Sequence, residues 1–186
     1  MTRKLVSLVL CAVLMCAAIP ALADGITLTD MTGREITLDT AATRIVALTA
    51  SDVEIIYALG AGDLLVGRGE YCDYPAEVLD KSVVKSGAET NLEEILALEP
   101  DVVIMATMAQ TKEQVEALEQ AGVKVIVSDA QNLEGVYTAI ALIGQVTGKD
   151  EEAAALIQPV LVLPETGLFE CSSGRSTFYV PLPLFI

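Results

Sequence analysis

Histidine and tryptophan are absent from these 186 residues, and the 11 lysines and arginines are outnumbered by 26 aspartates and glutamates. Without an imidazole, the Ser-His-Asp and Cys-His nucleophile systems are excluded, and so are the histidine ligands that most zinc and manganese sites use. A formal net charge of −15 argues against nucleic acid or an anionic membrane surface as a partner. The same charge repels free anionic chelates unless a pocket is locally basic; in its simplest role it keeps the chain dissolved. Cysteine is sparse. Of four, Cys11 and Cys16 fall in an N-terminal apolar run, which leaves Cys72 and Cys171. Those two could pair in an oxidising compartment, but sequence alone does not bring them within bridging distance. Beyond the N-terminus no long uncharged stretch could span a bilayer.

What is present suits a packed protein: 53% apolar and 20% charged residues, in a length that holds one domain or one and a fraction. Residues 1–23 read as a signal peptide. Arg3 and Lys4 form its basic start, Leu5 to Ile19 its apolar run, and Ala21-Leu22-Ala23 a cleavage site. Processing there takes the net charge from −15 to −17. Leu10 and Met15 precede Cys11 and Cys16 where lipidation needs a small residue, so a cleaved, exported, soluble protein is expected, in the periplasm or at the extracellular face of the membrane.

After the signal, Ile26-Thr27-Leu28 and Glu35-Ile36-Thr37-Leu38 alternate around Met31 to Arg34, a hairpin with Gly33 in its turn. Short apolar runs then alternate with amphipathic segments. Strands are expected at Ile45–Leu48, Leu64–Gly67, Val102–Met105 and Val123–Val127. Helices are expected from Ser51 to Gly60 or Gly62, from Asn91 to Leu98, from Thr111 to Gly122, and from Asn132 to Gly148. Ser51 with Glu54, and Thr111 with Gln114, carry capping-box spacing. In the Asn132 helix, Leu133, Val136, Tyr137, Ile140, Ile143 and Gly144 share one face, expected to be packed. The fold class that follows is α/β: a three-layer αβα sandwich with a mainly parallel sheet. Glu151 to Ile157 begins a further helix that Pro159 interrupts, and the remaining tail, 159–186, lacks periodicity.

Ligands of open parallel sheets sit outside the carboxyl ends of the strands. The turns there hold Thr49, Ser51, Arg68, Tyr71, Tyr74, Thr107 and Met108, a set of rings, hydroxyls and one guanidinium that suits a large planar or chelated ligand better than a phosphate. Tyr74 is open to a second reading, packing beside Pro75, and Arg68 to pairing with Glu70 or Asp73. Cys72 reads as a free, partly buried thiol. Glu70 and Asp73 alone do not make a metal site, and nothing calls for a resident cofactor. Gly60-Ala61-Gly62 closes a helix rather than opening one, so it is a cap and not a dinucleotide fingerprint. Leu163-Pro164-Glu165-Thr166-Gly167 matches a cell-wall sorting pentapeptide, but Glu170 and Arg175 break the apolar span that should follow. A surface-anchored interaction protein using that tail is the alternative reading. An enzyme is not expected.

Four stretches, in order, resemble the iron-siderophore and cobalamin class of periplasmic substrate-binding proteins, which serve ABC importers. They are Asp30-Met31-Thr32-Gly33-Arg34-Glu35 with Thr43-Arg44-Ile45-Val46-Ala47-Leu48; Glu54-Ile55-Ile56-Tyr57-Ala58-Leu59-Gly60-Ala61; Val66-Gly67 leading to Tyr71-Cys72-Asp73-Tyr74-Pro75; and Asn91-Leu92-Glu93 leading to Leu98-Glu99-Pro100-Asp101-Val102-Val103-Ile104. Thr43 stands where members of the class have proline. The resemblance covers roughly residues 26–157 and implies one lobe of a bilobal protein that holds an iron-siderophore, haem or cobalamin-type chelate between its lobes. It implies an N-terminal ligand-binding lobe at 24–148, the start of an inter-lobe helix at 149–158, and a divergent tail at 159–186, with the second lobe missing and binding correspondingly weak. It further implies that Glu93 docks onto a membrane permease and that Tyr71 stands where cobalamin binders place a cleft tyrosine. A monomer is expected. Their cleft tryptophans have no counterpart here, which weakens cobalamin and leaves siderophore or haem open.

Overall fold

A computed structural model describes residues 25–87, 90–107, 112–161, 171–173 and 176–178. The signal segment, Met108, Thr111 and the sorting-like pentapeptide lie outside the described residues. Among the described residues no helix is long and apolar enough to cross a membrane.

The chain enters through an antiparallel hairpin, β1 (Ile26–Thr29) and β2 (Glu35–Leu38), with Gly33 at φ 84° in the turn. A five-stranded sheet follows, made of β3 (Ile45–Ala47), β4 (Leu65–Gly69), β5 (Ser82–Val84), β6 (Val102–Met105) and β7 (Lys124–Val127). Every pairing in it is parallel, and the spatial order is β5-β4-β3-β6-β7. Five helices are described: α1 (Ala50–Ala58), α2 (Leu92–Ala97), α3 (Lys112–Gln120), α4 (Leu133–Thr147) and α5 (Asp150–Leu161).

Alternate residues of each strand enter different cores. Ile45, Ala47, Val102, Ile104 and Ile126 pack with Val53 and Ile56 of α1, Ile140, Ile143 and Val146 of α4, and Leu28 and Ile36 of the hairpin. Val46, Leu48, Val103, Met105 and Val125 pack on the other face with Ile95 of α2 and Leu118 of α3. A strand covered on both faces must be apolar throughout, and β6 is buried at all four positions. This is the expected three-layer sandwich. Where β3 and β4 meet, Gly69 is required by space: a Cβ there would strike the carbonyl oxygen of Leu48.

Several local expectations are corrected. The cap of α1 is Thr49, whose backbone is extended, and not Ser51, which lies inside the helix. Thr49 Oγ1 donates to the Asp52 carboxylate, so the expected Ser51–Glu54 reciprocal pair does not form. The residues Gly62–Leu64 make a turn of 3-10 helix, which starts β4 one residue later than expected. The edge strand β5 was not expected; it is three residues long and two of them are exposed, too little for a periodic signal. Helix α5 continues past Pro159 to Leu161, because a proline this near a helix end removes only one of its last N–H donors. In the tail, Cys171–Ser173 (β8) and Ser176–Phe178 (β9) pair as antiparallel strands where no regular structure was expected. The cap residues of α4 hold as read: Asn132 accepts from Gly135 N, and Gly148 takes the left-handed conformation at φ 68°. At residue 43, the threonine gives what a proline could not. Its N–H donates to the Asp101 carboxylate at 2.8 Å, and its hydroxyl at 2.7 Å.

The hairpin is held to the sheet by one buried carboxylate. Asp30 accepts from Thr32 N and Oγ1, from Arg34 N, Nε and Nη2, and from Val127 N at the end of β7. Arg34 extends the clasp to Glu119 of α3 at 2.9 Å and to the Val125 carbonyl. Burial alone would raise the Asp30 pKa, but the hydrogen bonds from Thr32 and Arg34 outweigh it and hold the group below its ordinary value. The stability it contributes is therefore present above the usual carboxylate range and lost as the pH falls below it. Asp30→Ala is expected to lower unfolding free energy by about 3 kcal/mol in urea titrations at pH 7, with the deficit shrinking toward pH 3.

Candidate functional site

In a parallel sheet all strands deliver their chains to the same end. Here the order reverses between β3, from which the chain moves out through β4 to β5, and β6, from which it moves the other way to β7. Neighbouring loops diverge at such a point and leave a crevice. A cavity of about 510 Å³ opens there. Its walls come from Ser51, Asp52, Glu54, Ile55 and Ala58 of α1, Tyr74 from the turn after β4, Ala106 after β6, Ser128 to Ala130 after β7, and Val136 and Ala139 of α4.

The wall is mostly apolar. Leu133 and Val136, expected in the packed face of α4, are exposed at 59% and 38%, and of the two Val136 lines the cavity: the first turns of that helix run beyond the core. Ala139 to Thr147 carry the packed part, and Tyr137 is half-buried. Tyr71 and Tyr74 are exposed at 77% and 67% on the turn after β4, and Tyr74 faces the cavity as well as standing beside Pro75. Aromatic faces left in water beside an apolar wall are the sort of surface a flat guest covers.

The polar groups at the floor are acidic. Asp52 is 1% exposed and is bonded by the hydroxyls of Thr49 and Ser128. Burial pushes its pKa up to about 6; the two hydroxyls oppose that rise and the neighbouring Asp129 charge adds to it. Asp129 accepts from Thr107 Oγ1 and from Gln131 Nε2. Among the described residues no group of three or more cysteines, aspartates and glutamates is placed to hold a metal ion.

Of the residues expected at a site, Ser51 lines the cavity, and Thr49 stands behind it against Asp52. Thr107 bonds Asp129 but lines a smaller cavity of about 270 Å³ between β6, the hairpin turn and α3. Arg68 differs from expectation. It is buried, and its guanidinium donates to the carbonyls of Cys72 at 2.8 Å and Gly69 at 3.4 Å rather than to Glu70, Asp73 or the cavity, with Nε unpartnered. It closes the turn that carries Tyr71 and Tyr74. Cys72, in that turn, is a free and fully buried thiol whose pKa burial raises. Glu93 does not line the cavity; it is exposed in the first turn of α2, where the Asn91 side chain caps its backbone N–H. Asp52, Glu54, Asp129 and Val136 were not singled out. Of these, Asp129 lies just past the end of β7, a position that a strand-end rule can find.

Residues 45–161 match the profile of a family described as periplasmic binding protein. An uncharacterized ABC transporter substrate-binding lipoprotein of Bacillus subtilis, YvrC, is 35% identical over 137 residues, covering 72% of this chain and 43% of its own length. The vitamin B12-binding protein of Vibrio campbellii is 36% identical over 110 residues, 59% of this chain and 40% of its own. Among solved structures, a periplasmic heme binding protein from Pseudomonas aeruginosa superposes with a TM-score of 0.62 at 26% identity, over 64% of this chain and 43% of that one. The chain thus spans about two fifths of the length of the curated relatives it matches.

The raised Asp52 pKa has a definite sign for stability. The folded state holds this proton more tightly than the unfolded chain, so its contribution is full below about pH 4 and is lost as the pH rises through 6. At neutral pH the ionised group then costs the fold about 3 kcal/mol. Asp52→Asn is expected to be more stable than the parent at pH 7.5 by an amount approaching that figure, and equal to it near pH 4, as read by denaturant unfolding at the two pH values.

Proposed function

The chain belongs to the periplasmic binding protein family, and we propose that it is the ligand-facing lobe of a substrate-binding component for an ABC importer, a non-catalytic receptor that captures a metal chelate of the siderophore, haem or cobalamin type outside the cytoplasmic membrane and passes it to a permease. The observation that carries this reading is the open cavity of about 510 Å³ at the switch point, walled by apolar side chains and an exposed tyrosine. A wall of that form suits a bulky, flat guest and lacks the nucleophile–base pair of a hydrolytic site. The relatives are named for substrate, vitamin B12 and heme binding, which agrees with it.

In this reading Tyr71 and Tyr74 stack on the guest, while Ser51 supplies the rim. Arg68 acts one step back, by holding the tyrosine turn in shape. The 186 residues, as a monomer, present one wall of a clamp, and a guest covered on one side buries about half the surface it would bury between two. Calorimetric titration of the chain with haemin and with cyanocobalamin is expected to give dissociation constants in the micromolar range or weaker, and Tyr74→Ala should weaken the better of the two at least ~5-fold, on the order of one lost aromatic contact. Nanomolar binding by this lobe, or indifference to Tyr74→Ala, would count against the reading.

Glu93 is the residue we assign to permease docking, since an exposed carboxylate away from the cavity can meet a cationic partner without touching the guest. Glu93→Lys should leave guest binding within ~2-fold while reducing pull-down of the permease in detergent by ~10-fold or more, a loss of the kind seen when a charge pair is reversed.

A further inference from the structure

We propose that the cavity chooses its guest by hydrogen-bond polarity, and that Asp52 is the residue that decides: the wall accepts a chelate whose periphery carries N–H donors, such as amides, and rejects one whose periphery carries carboxylates. This deepens the receptor reading above and rests on it.

The groups at the floor face one way. Of the residues that line the cavity, Asp52, Glu54 and Asp129 are acidic and none is basic. Thr49 and Ser128 are engaged on Asp52, and Thr107 and Gln131 on Asp129; the hydroxyls of Ser51 and Tyr74 also line the cavity. What the three carboxyl side chains offer an incoming group when ionised is acceptor oxygen. The basic residues nearby are bound elsewhere. Arg34 is held by Asp30, Glu119 and the Val125 carbonyl, and Arg68 by the carbonyls of Gly69 and Cys72. Positive potential at the N-terminus of α1 would favour an anion, but Asp52 sits in that first turn and offsets it. An anionic guest would also approach against the chain's net −15. A carboxylate brought over this floor meets like charge in a partly dry site, whereas an amide N–H finds the acceptor it lost on leaving water.

The groups that titrate around Asp52 are Glu54 on its own helix, Asp129 from the loop after β7, and Tyr74 and Cys72, with the charge of Arg68, from the turn after β4. Helix α4 brings only Val136 and Ala139. Of these, Asp52 is the carboxyl group that changes charge near pH 6, so the wall gains acceptor strength between pH 5 and 7.

The test uses two corrin probes of one ring shape, dicyanocobinamide with an amide periphery and dicyanocobyrinic acid with a carboxylate periphery. Each is titrated into the full chain at pH 7.5 in 0.3 M salt, which screens the net charge. Binding is read from the backbone amide signals of Ser51, Ser128, Ala130 and Val136. The expected result is at least ~10-fold tighter binding of the amide probe, one unfavourable like-charge contact, with Asp52→Asn narrowing the ratio to within ~3-fold. The affinity of the amide probe, which does not itself titrate in this range, should rise from pH 5 to 7 in the parent and stay flat in Asp52→Asn. Asp129→Asn, at a half-buried position, repeats the comparison should the first variant fail to fold. Equal binding of the two probes, or tighter binding of the acid, with shifts at the same four amides would overturn the polarity rule and leave the receptor reading standing. No shift at those amides from either probe at millimolar concentration would remove the receptor reading itself, and the polarity rule with it.

Discussion

A strand with a helix layer on each face has nowhere to put a polar side chain except at its ends. That constraint organises the molecule. Val102, Val103, Ile104 and Met105 are all buried, two toward each core, and the first residue free to do anything else is Ala106 at the rim. Because the five strands run parallel, their ends meet on one side, and that rim gathers Thr49, Tyr74, Ala106 and Ser128 from segments that are distant in sequence. Chemistry is driven to one edge by the demands of the interior.

The rim still has to be held. The Asp30 clasp fastens the hairpin turn to the end of β7 through the Val127 N–H, and the Met31 N–H donates to the Val127 carbonyl at 3.0 Å. The next residues along the chain, Ser128 and Asp129, form part of the cavity wall. An element that looks like an ornament at the N-terminus is therefore a support for the binding edge, and its six hydrogen bonds to one buried carboxylate are what make it rigid.

Sequence reading recovered what depends on periodicity and capping. The strand at 102–105 and the helix between Asn132 and Gly148 came out with their ends, since unbroken apolar runs, an asparagine cap and a glycine in the left-handed region are local signals. It missed what depends on where elements stop touching each other. Leu133 and Val136 obey the same spacing as Ile140 and Ile143, and only the extent of α4 beyond the core separates wall from interior. Asp52 carries no local signal of its state: the Ser128 hydroxyl that bonds it and the Asp129 charge beside it come from some 75 residues away in sequence. Arg68 was placed in the cleft by its position at a strand end, but the Gly69–Cys72 turn folds back far enough to take the guanidinium with its own carbonyls.

The uncovered wall has a colloidal side. Tyr71, Tyr74, Leu133 and Val136 are exposed apolar or aromatic side chains on a body of net charge −15, and like-charged copies repel one another at long range. That repulsion reaches about 10 Å at 0.1 M salt and only about 3 Å at 1 M. Brine thus weakens the repulsion between copies and leaves those exposed side chains unchanged, and the chain's tolerance of crowding is set by its ions as much as by its fold.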